Sequence, residues 1–548
     1  MGGLLPVVLL ASLVSCERGT EPEPEPEEPN VLIAQPVVVS ATTAQELTNE
    51  LNQSVVPLND GSFAVVWMRG DEGDERDVMM QWLDAQGNPR RPGGPVRVTN
   101  YLEEAGDSAV IARRDGGAYV AFSQIDGQAF QVKVQAFDRD MNPLWPAPVR
   151  AAIHAGGWES QYEPSLAPDP SGGIFVSFYT CNEKDRWGIK CQRIDAAGAR
   201  AWGDEGIVLG AKYGFVTYPE TVADGSGGTY VFWLNLGKSG VPVPENVRVE
   251  GQRLDGAGNK LWGAGPLVIQ ATSSGPRNGY SYTDFMAAAD GLGGAVLAWY
   301  EDLDSSDQQL DVLAQRVNAA GERVWAQPVL PGDTSRNCQP DGIIAGTDGG
   351  AFISYREYVS ESVFRLWMQR LGAGGEKKWG ETGVELSDPG EPRMTYKAYG
   401  HFTGSHLNLC WTRQAVPYTF DFDVIMGRFK KDGAPMDPPG GVIIDDTEDK
   451  QFSRGMAYNA ASQTYFVLWE DSRRSRTWDD FDIHGAILRK GTPAVPASPG
   501  SFAQGSAAHI PFRNGSRASP YRRTGILPGE KTVCREERGA LQDPPQGN

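Results

Sequence analysis

The side chains best suited to chemistry in this sequence are aromatic rings set beside carboxylates. Trp158, Tyr162 and Glu163 share the stretch "WESQYE", Tyr218 and Glu220 share "YPE", and Tyr282 and Asp284 share "YTD". Tyr396 stands at the corresponding place further on, and Glu159 and Asp341 are further acids of this kind. Each group lies just before an apolar run. A ring can stack on the apolar face of a sugar, and a carboxylate accepts hydrogen bonds from its hydroxyls. The same pattern is also what a strand end covered by rings, with solvated acids beside it, would show. Both readings stand at this level.

Other chemistry has little support. The chain has no G-x-S-x-G, no H-E-x-x-H and no phosphate-binding glycine loop. The five histidines, His154, His401, His406, His484 and His509, are scattered, and His401 and His406 flank a turn, where a structural role is expected. A pair of Asp or Glu acting as acid and base stays open, because many acids fall in loops. Asp302 to Asp311, "DLDSSDQQLD", lacks the glycine of a helix–loop–helix calcium site and reads as a solvated acidic loop. Arg473, Arg474 and Arg476 among acids read as a surface ion-pair cluster. No cysteine spacing suits zinc, and neither a metal nor a cofactor is expected.

The elements that would position such residues repeat along the chain. "QRIDAAGARAWG" starts at Gln192, "QRLDGAGNKLWG" at Gln252, "QRVNAAGERVWA" at Gln315 and "QRLGAGGEKKWG" at Gln369, with a looser copy at Gln135. Before each copy comes a glycine turn and an apolar run ending in an aromatic: Trp67, Phe122, Phe178, Trp233, Trp299 and Tyr355, then Trp411 and Trp469 in degenerate copies. After it comes a short run such as "GIVLGA" or "PLVIQA". With the run before the glycine turn, each unit holds four strands, and the turns carry glycine where positive φ is needed. Eight such units predict an all-β protein, an eight-bladed β-propeller of four-stranded antiparallel blades.

The eighth unit has no last strand, whereas "QPVVVSATT" at Gln35 is a last strand with no unit before it. The N-terminal strand, around Val37 to Val39, is therefore expected to complete the last blade, which leaves no open edge in the ring. The Trp of each phrase (Trp145, Trp202, Trp262, Trp325, Trp379) is expected to pack between neighbouring blades. The loops joining second to third strands, and blade to blade, fall on the face opposite the glycine turns. They vary in length and content, so the aromatic–carboxylate groups would lie on that face.

The 50 Lys and Arg against 70 Asp and Glu leave a net charge of −20. That balance excludes nucleic acid as a partner, because phosphate contacts need clustered cations. It suits a self-repelling exported protein, expected as a monomer. Residues 1–16 read as a signal peptide ending in "LVSC", residues 17–30 are an extended acidic Pro/Glu spacer, residues 31–496 hold the propeller, and residues 497–548 lack periodicity and read as a disordered tail. Cys181, Cys191, Cys338 and Cys410 allow either disulfides or buried thiols, and their pairing is not deducible.

Leu13 to Cys16 resembles the lipobox of bacterial lipoproteins. The resemblance implies a lipidated Cys16 at the mature N-terminus, a membrane partner, and, with Glu17 rather than Asp next, the outer membrane. An ordinary cleaved signal is the alternative. The repeat "DGxGG…W…QRxDxxGxxxW" resembles repeats of bacterial surface and secreted proteins, and more loosely the tryptophan-docking repeat of quinoprotein dehydrogenases and of the outer-membrane assembly lipoprotein. The first resemblance implies a fold and a location, not a reaction. The expected function is a membrane-anchored binding or interaction module for a glycan or protein. A glycan-active hydrolase or lyase and an assembly lipoprotein are the alternatives.

Overall fold

The computed structural model describes residues 31–491 except 38–49, 71–75, 100–102, 156–158, 183–187, 211–215, 236–247, 272–284, 302–309, 334–335, 361–362, 388–392, 418, 420, 446–449 and 473–481. Among the described residues there is no helix. The strands form eight antiparallel sheets, seven of four strands and one of three. This is an eight-bladed β-propeller. Its innermost strands are, in order, Glu50–Pro57, Ala105–Arg113, Ser160–Pro168, Val216–Ala223, Met286–Ala289, Cys338–Ala345, Thr395–Phe402 and Gln451–Asn459. We number the blades 1 to 8 from these strands.

Closure follows the expected route with a strand that lies earlier than expected, while Val38 and Val39 lie outside the described residues. Val31–Val37 pairs antiparallel with Asp482–Gly491, from Val31 opposite Gly491 to Val37 opposite Gly485. The first strand of the chain is thus the outermost strand of blade 8. Polar ties cross the same junction. Gln53 donates to Glu470 at 2.9 Å, Asn459 donates to the carbonyls of Leu58 and Ser62 at 2.9 and 2.7 Å, and Arg489 donates to the Ala85 carbonyl at 2.8 Å.

One departure concerns blade 5. Its second and third strands, Ala295–Glu301 and Asp311–Val317, pair normally. Its fourth is reduced to a single bridge between Ala314 and Val329. Pro328 and Pro331 flank Val329, and proline has no N–H for a ladder.

The apolar side chains fall into eight clusters, each lying between one blade and the next. The recurring phrase is what locks these interfaces. In blade 4 the Gln252 carboxamide accepts from the backbone N–H of Arg253 and of Trp262, both at 3.0 Å, and donates to Gly265 O at 2.8 Å. The loop that carries the tryptophan is thereby held against its own strand. Trp262 then donates to Ala319 O of blade 5 at 3.1 Å. The same bond runs from Trp145 to Ala196, Trp202 to Gly256, Trp325 to Ala373 and Trp379 to Lys431. A Cβ on the turn glycine of the next blade would meet the ring: at Gly321 it would lie 3.0 Å from Trp262, and at Gly375 3.0 Å from Trp325. These glycines also hold φ of +85° and +88°, so the position suits glycine on two counts.

The arginine of the phrase joins the same seam. Arg253 pairs with Asp224 of its own glycine turn at 2.9 Å and donates to Ala319 O of the next blade at 3.0 Å. Arg193 and Arg316 repeat the arrangement with Asp169 and Asp290. Burial opposes the charge on Asp224, but the Ser226 hydroxyl, backbone N–H groups and Arg253 outweigh it and hold its pKa below the ordinary carboxylate value. Because the folded pKa is lowered, this stabilisation is present above the unfolded value and is lost as pH falls through the folded one. Arg253→Ala should therefore cost about 1.5–3 kcal/mol near neutral pH, because Asp224 loses its one charged partner and keeps the bonds from Ser226 and Gly228. Urea unfolding at pH 7 and pH 3 should show the gap from wild type narrowing in acid. An equal gap at both pH values would contradict the ion-pair account.

Candidate functional site

The innermost strands carry a feature that side-chain periodicity does not reveal. In seven of the eight, the ladder to the second strand slips near the start of the strand: at Leu51/Ser54, Gly106/Ser108, Tyr162/Ser165, Thr217/Glu220, Pro340/Gly342, Tyr396/Tyr399 and Ser453/Gly455. Each slip falls at or beside the recurring aromatic of the second strand, from Trp67 to Trp469. Such bulges bend a strand and re-aim a side chain. Here they recur at one level around the central channel, at the end reached from the blade-to-blade loops.

The bulged positions are polar where a strand interior would be apolar. They include Asp107, Glu163, Asp341, Lys397 and Arg454. Asp107, Glu163 and Lys397 have φ of +36°, +54° and +62°. Among non-glycine residues such values cost on the order of 1–3 kcal/mol each and persist only where the surroundings enforce them. Acidic positions fall on blades 2, 3 and 6, and basic ones on blades 7 and 8.

Between the innermost strands of blades 4 to 7 lies a cavity of about 100 Å³, walled in part by Glu220, Met286, Asp341, Ile344 and Tyr399. Asp341 is 1% exposed and ion-paired to Arg356 at 2.8 Å. It also accepts from the backbone N–H groups of Lys397 and Ala398, the second at 3.2 Å. That carboxylate ties blade 6 to the bulge of blade 7. Burial pushes the Tyr399 hydroxyl well above the ordinary tyrosine range, so it stays protonated. The cavity is smaller than the 300–1,000 Å³ usual for small-molecule pockets. It suits water or a small group reaching in from the mouth.

The residues singled out from sequence are placed as follows. Trp158, Tyr282 and Asp284 lie outside the described residues. Tyr218 falls within the bulge of blade 4, and Tyr396 pairs with Thr412 in blade 7. Tyr162 is half-buried, with Phe130 at 5.2 Å and Tyr179 at 5.3 Å between ring centres. Its ring is part of a packed stack within blades 2 and 3. Glu163 is the strained bulge residue beside it, and Glu220 lines the cavity. Glu163, Tyr218 and Glu220 are thus on adjacent innermost strands at one end of the channel, with Tyr396 on blade 7.

Other candidates are tied into the framework. Glu159 is buried against Lys190 at 2.7 Å, and the same ammonium lies 3.5 Å from Glu205, beside His154. His401 stacks on Tyr458 at 4.8 Å, and burial lowers its pKa. Cys181, Cys191, Cys338 and Cys410 are free and buried. Burial pushes the Cys338 thiol up to about 12, which makes it a poor nucleophile. Sequence reasoning missed the bulges. Their trace is a charged residue or a proline, such as Glu163-Pro164 or Pro340-Asp341, inside an otherwise strand-like run.

No protein-family model matches the chain, and no curated protein matches it in sequence. Among solved structures it is similar to a puromycin hydrolase, at 12% identity over 81% of this chain and 61% of that one, with a TM-score of 0.42. It is also similar to the polysaccharide lyase Uly1, at 9% identity over 70% of this chain and 89% of that one, TM-score 0.43. A protein of unknown function from Dyadobacter fermentans is similar at 12% identity over 83% and 98%, TM-score 0.36. The chain spans about three-fifths of the first of these.

Proposed function

We propose that the protein is an extracytoplasmic binding propeller, held at a membrane by lipid on Cys16, that takes a neutral glycan at the loop-face mouth of its central channel. The observation that supports this reading is the level of bulges on seven innermost strands at that mouth, charged on five of them. A fold held together by repetition tolerates such strain where a function uses it. The opposite face offers near-identical turns, with little means to distinguish one ligand from another. By sequence, Trp158, Tyr218, Tyr282 and Tyr396 belong to the blade-to-blade segments and the strand starts that follow them, and aromatic residues bring stacking without charge, which suits a neutral partner of an acidic protein. Glu163 and Glu220 supply hydroxyl acceptors.

Binding rather than turnover fits the described geometry. Most glycoside hydrolases use two carboxylates facing one bond. Of the two acids on the cavity, Asp341 is engaged by Arg356 and by two backbone N–H groups. The test is a glycan array probed with protein lacking residues 1–16. Retention of neutral glycans without their cleavage is expected, whereas shortened products would favour a hydrolase or lyase. The anchor is tested separately. Cys16→Ser should move the protein from membrane to soluble fractions, since lipid supplies the hold. A variant that still sediments with membranes would contradict the anchor.

A further inference from the structure

At the loop-face end of the boundary between blades 7 and 8, three side chains of metal-ligating type converge. Asp445 ends the outermost strand of blade 7, Val442–Asp445. Asp471 ends the second strand of blade 8, Thr464–Asp471, and His484 lies near the start of the third, Asp482–Gly491. One ligand atom from each falls within 4.8 Å of the others. We propose that Asp445, Asp471 and His484 bind a divalent transition-metal ion of the zinc class.

The distances carry the argument. His484 Nε2 lies 3.4 Å from Asp471 Oδ2, with both side chains buried, at 4% and 0% exposure. Charge-assisted hydrogen bonds are usually about 2.7–2.9 Å, so this pair is spaced wider than a direct bond. Ligands at about 2.1 Å from a tetrahedral zinc stand about 3.4 Å apart. A comparison with sister blades points the same way. In blades 4, 5 and 6 a tryptophan N–H meets the buried carboxylate at this level closely: Trp233 to Glu250 at 3.1 Å, Trp299 to Glu301 at 2.7 Å and Trp367 to Glu357 at 2.8 Å. In blade 8 the Trp469 N–H stands 3.4 Å from Asp471. Asp471 thus stands further from its tryptophan than the carboxylates of these sister blades do from theirs.

The surroundings suit ligation. Trp469 stacks on His484 with ring centres 5.8 Å apart and fixes the imidazole plane. Gln451 donates to Asp445 Oδ1 at 3.0 Å and orients that carboxylate. Outer partners of this kind hold first ligands in place. An imidazole in the set selects a zinc-class ion over calcium or magnesium, which prefer all-oxygen sites. Three protein ligands leave a fourth position of a tetrahedral ion for water or an incoming group.

The experiment is a calorimetric titration of the chelator-treated full chain with Zn²⁺, Ca²⁺ and Mg²⁺. One equivalent of Zn²⁺ is expected, with Ca²⁺ and Mg²⁺ giving none. Losing a residue that only orients a ligand costs about 10–100-fold, so losing a ligand itself, in His484→Gln or Asp445→Asn, should weaken Zn²⁺ binding by about 100-fold or more. Asp445 is half-buried at the rim, so its variant tests the site even if the buried His484→Gln does not fold. Wild-type chain that binds no Zn²⁺ would overturn the proposal, as would unchanged affinity in Asp445→Asn. A site that takes Ca²⁺ in preference to Zn²⁺ would overturn the metal class.

Discussion

Removing residues 31–37 should leave a chain that melts far below the wild type or aggregates on expression. The strand supplies the whole outer edge of blade 8, with seven residues in register against Asp482–Gly491. Its last residue, Val37, is buried in the cluster that joins blade 8 to blade 1, with Phe63, Trp67, Phe466 and Ile487. Deleting it exposes the N–H and C=O groups of the third strand, a template for intermolecular pairing. It also opens the one interface that no continuous chain spans. Light scattering and thermal melting of the deletion variant decide the matter. A variant that stays soluble with an unchanged melting profile would mean that the strand is not what closes the ring.

The second large effect belongs to the docking tryptophans. Trp325 is 2% exposed, packs in the cluster between blades 5 and 6, and donates to Ala373 O at 2.9 Å. Trp325→Ala should cost about 3–5 kcal/mol, the range for truncating a large buried ring. Trp325→Phe keeps most of the apolar contact and loses the N–H bond, so it should recover much of that loss and leave a deficit of about 0.5–1.5 kcal/mol for one lost hydrogen bond, since Ala373 O still accepts from Arg316. Urea unfolding of the three proteins tests the ranking. A Trp325→Ala chain within 1 kcal/mol of wild type would show that the phrase repeats for a reason other than packing.

These two expectations rest on features readable in the sequence. The spacing of Gln, Asp, Gly and Trp in each phrase is the record of one docking geometry used repeatedly, because Gly375 or Gly321 must both adopt positive φ and leave room for a ring. The orphan strand at Gln35 and the incomplete last unit are likewise complementary in plain text. The site was less legible. A bulge is a slip of one or two residues in hydrogen-bond register, and it leaves the alternation of apolar residues on either side intact. Only the charge or proline at Glu163-Pro164, Pro340-Asp341 or Lys397 hints at it. The fourth strand of blade 5, "PVLPGD", has the apolar content of its sisters but pairs only at Val329, because Pro331 lacks the N–H that would continue the ladder. Asp445, Asp471 and His484 come from three strands of two blades, so no spacing announces them. Tyr162 looked like a platform from its neighbours in sequence, and its packing against Phe130 and Tyr179 appears only across strands.

The central claim is that a glycan is bound at the channel mouth on the loop face, and it can be tested on any array ligand by titration against four proteins. These are the wild type, Trp158→Ala, Glu163→Gln, and Arg139→Ala in a turn of the opposite face, where the side chain is 68% exposed. Stacking on one ring contributes about 0.5–1.5 kcal/mol beyond its area, and a hydrogen bond to a charged group about 1.5–3. The account therefore expects the first two variants to lose about tenfold or more in affinity with unchanged melting temperatures, and Arg139→Ala to bind like wild type. Binding that survives both Trp158→Ala and Glu163→Gln, or that is lost in Arg139→Ala, would contradict it.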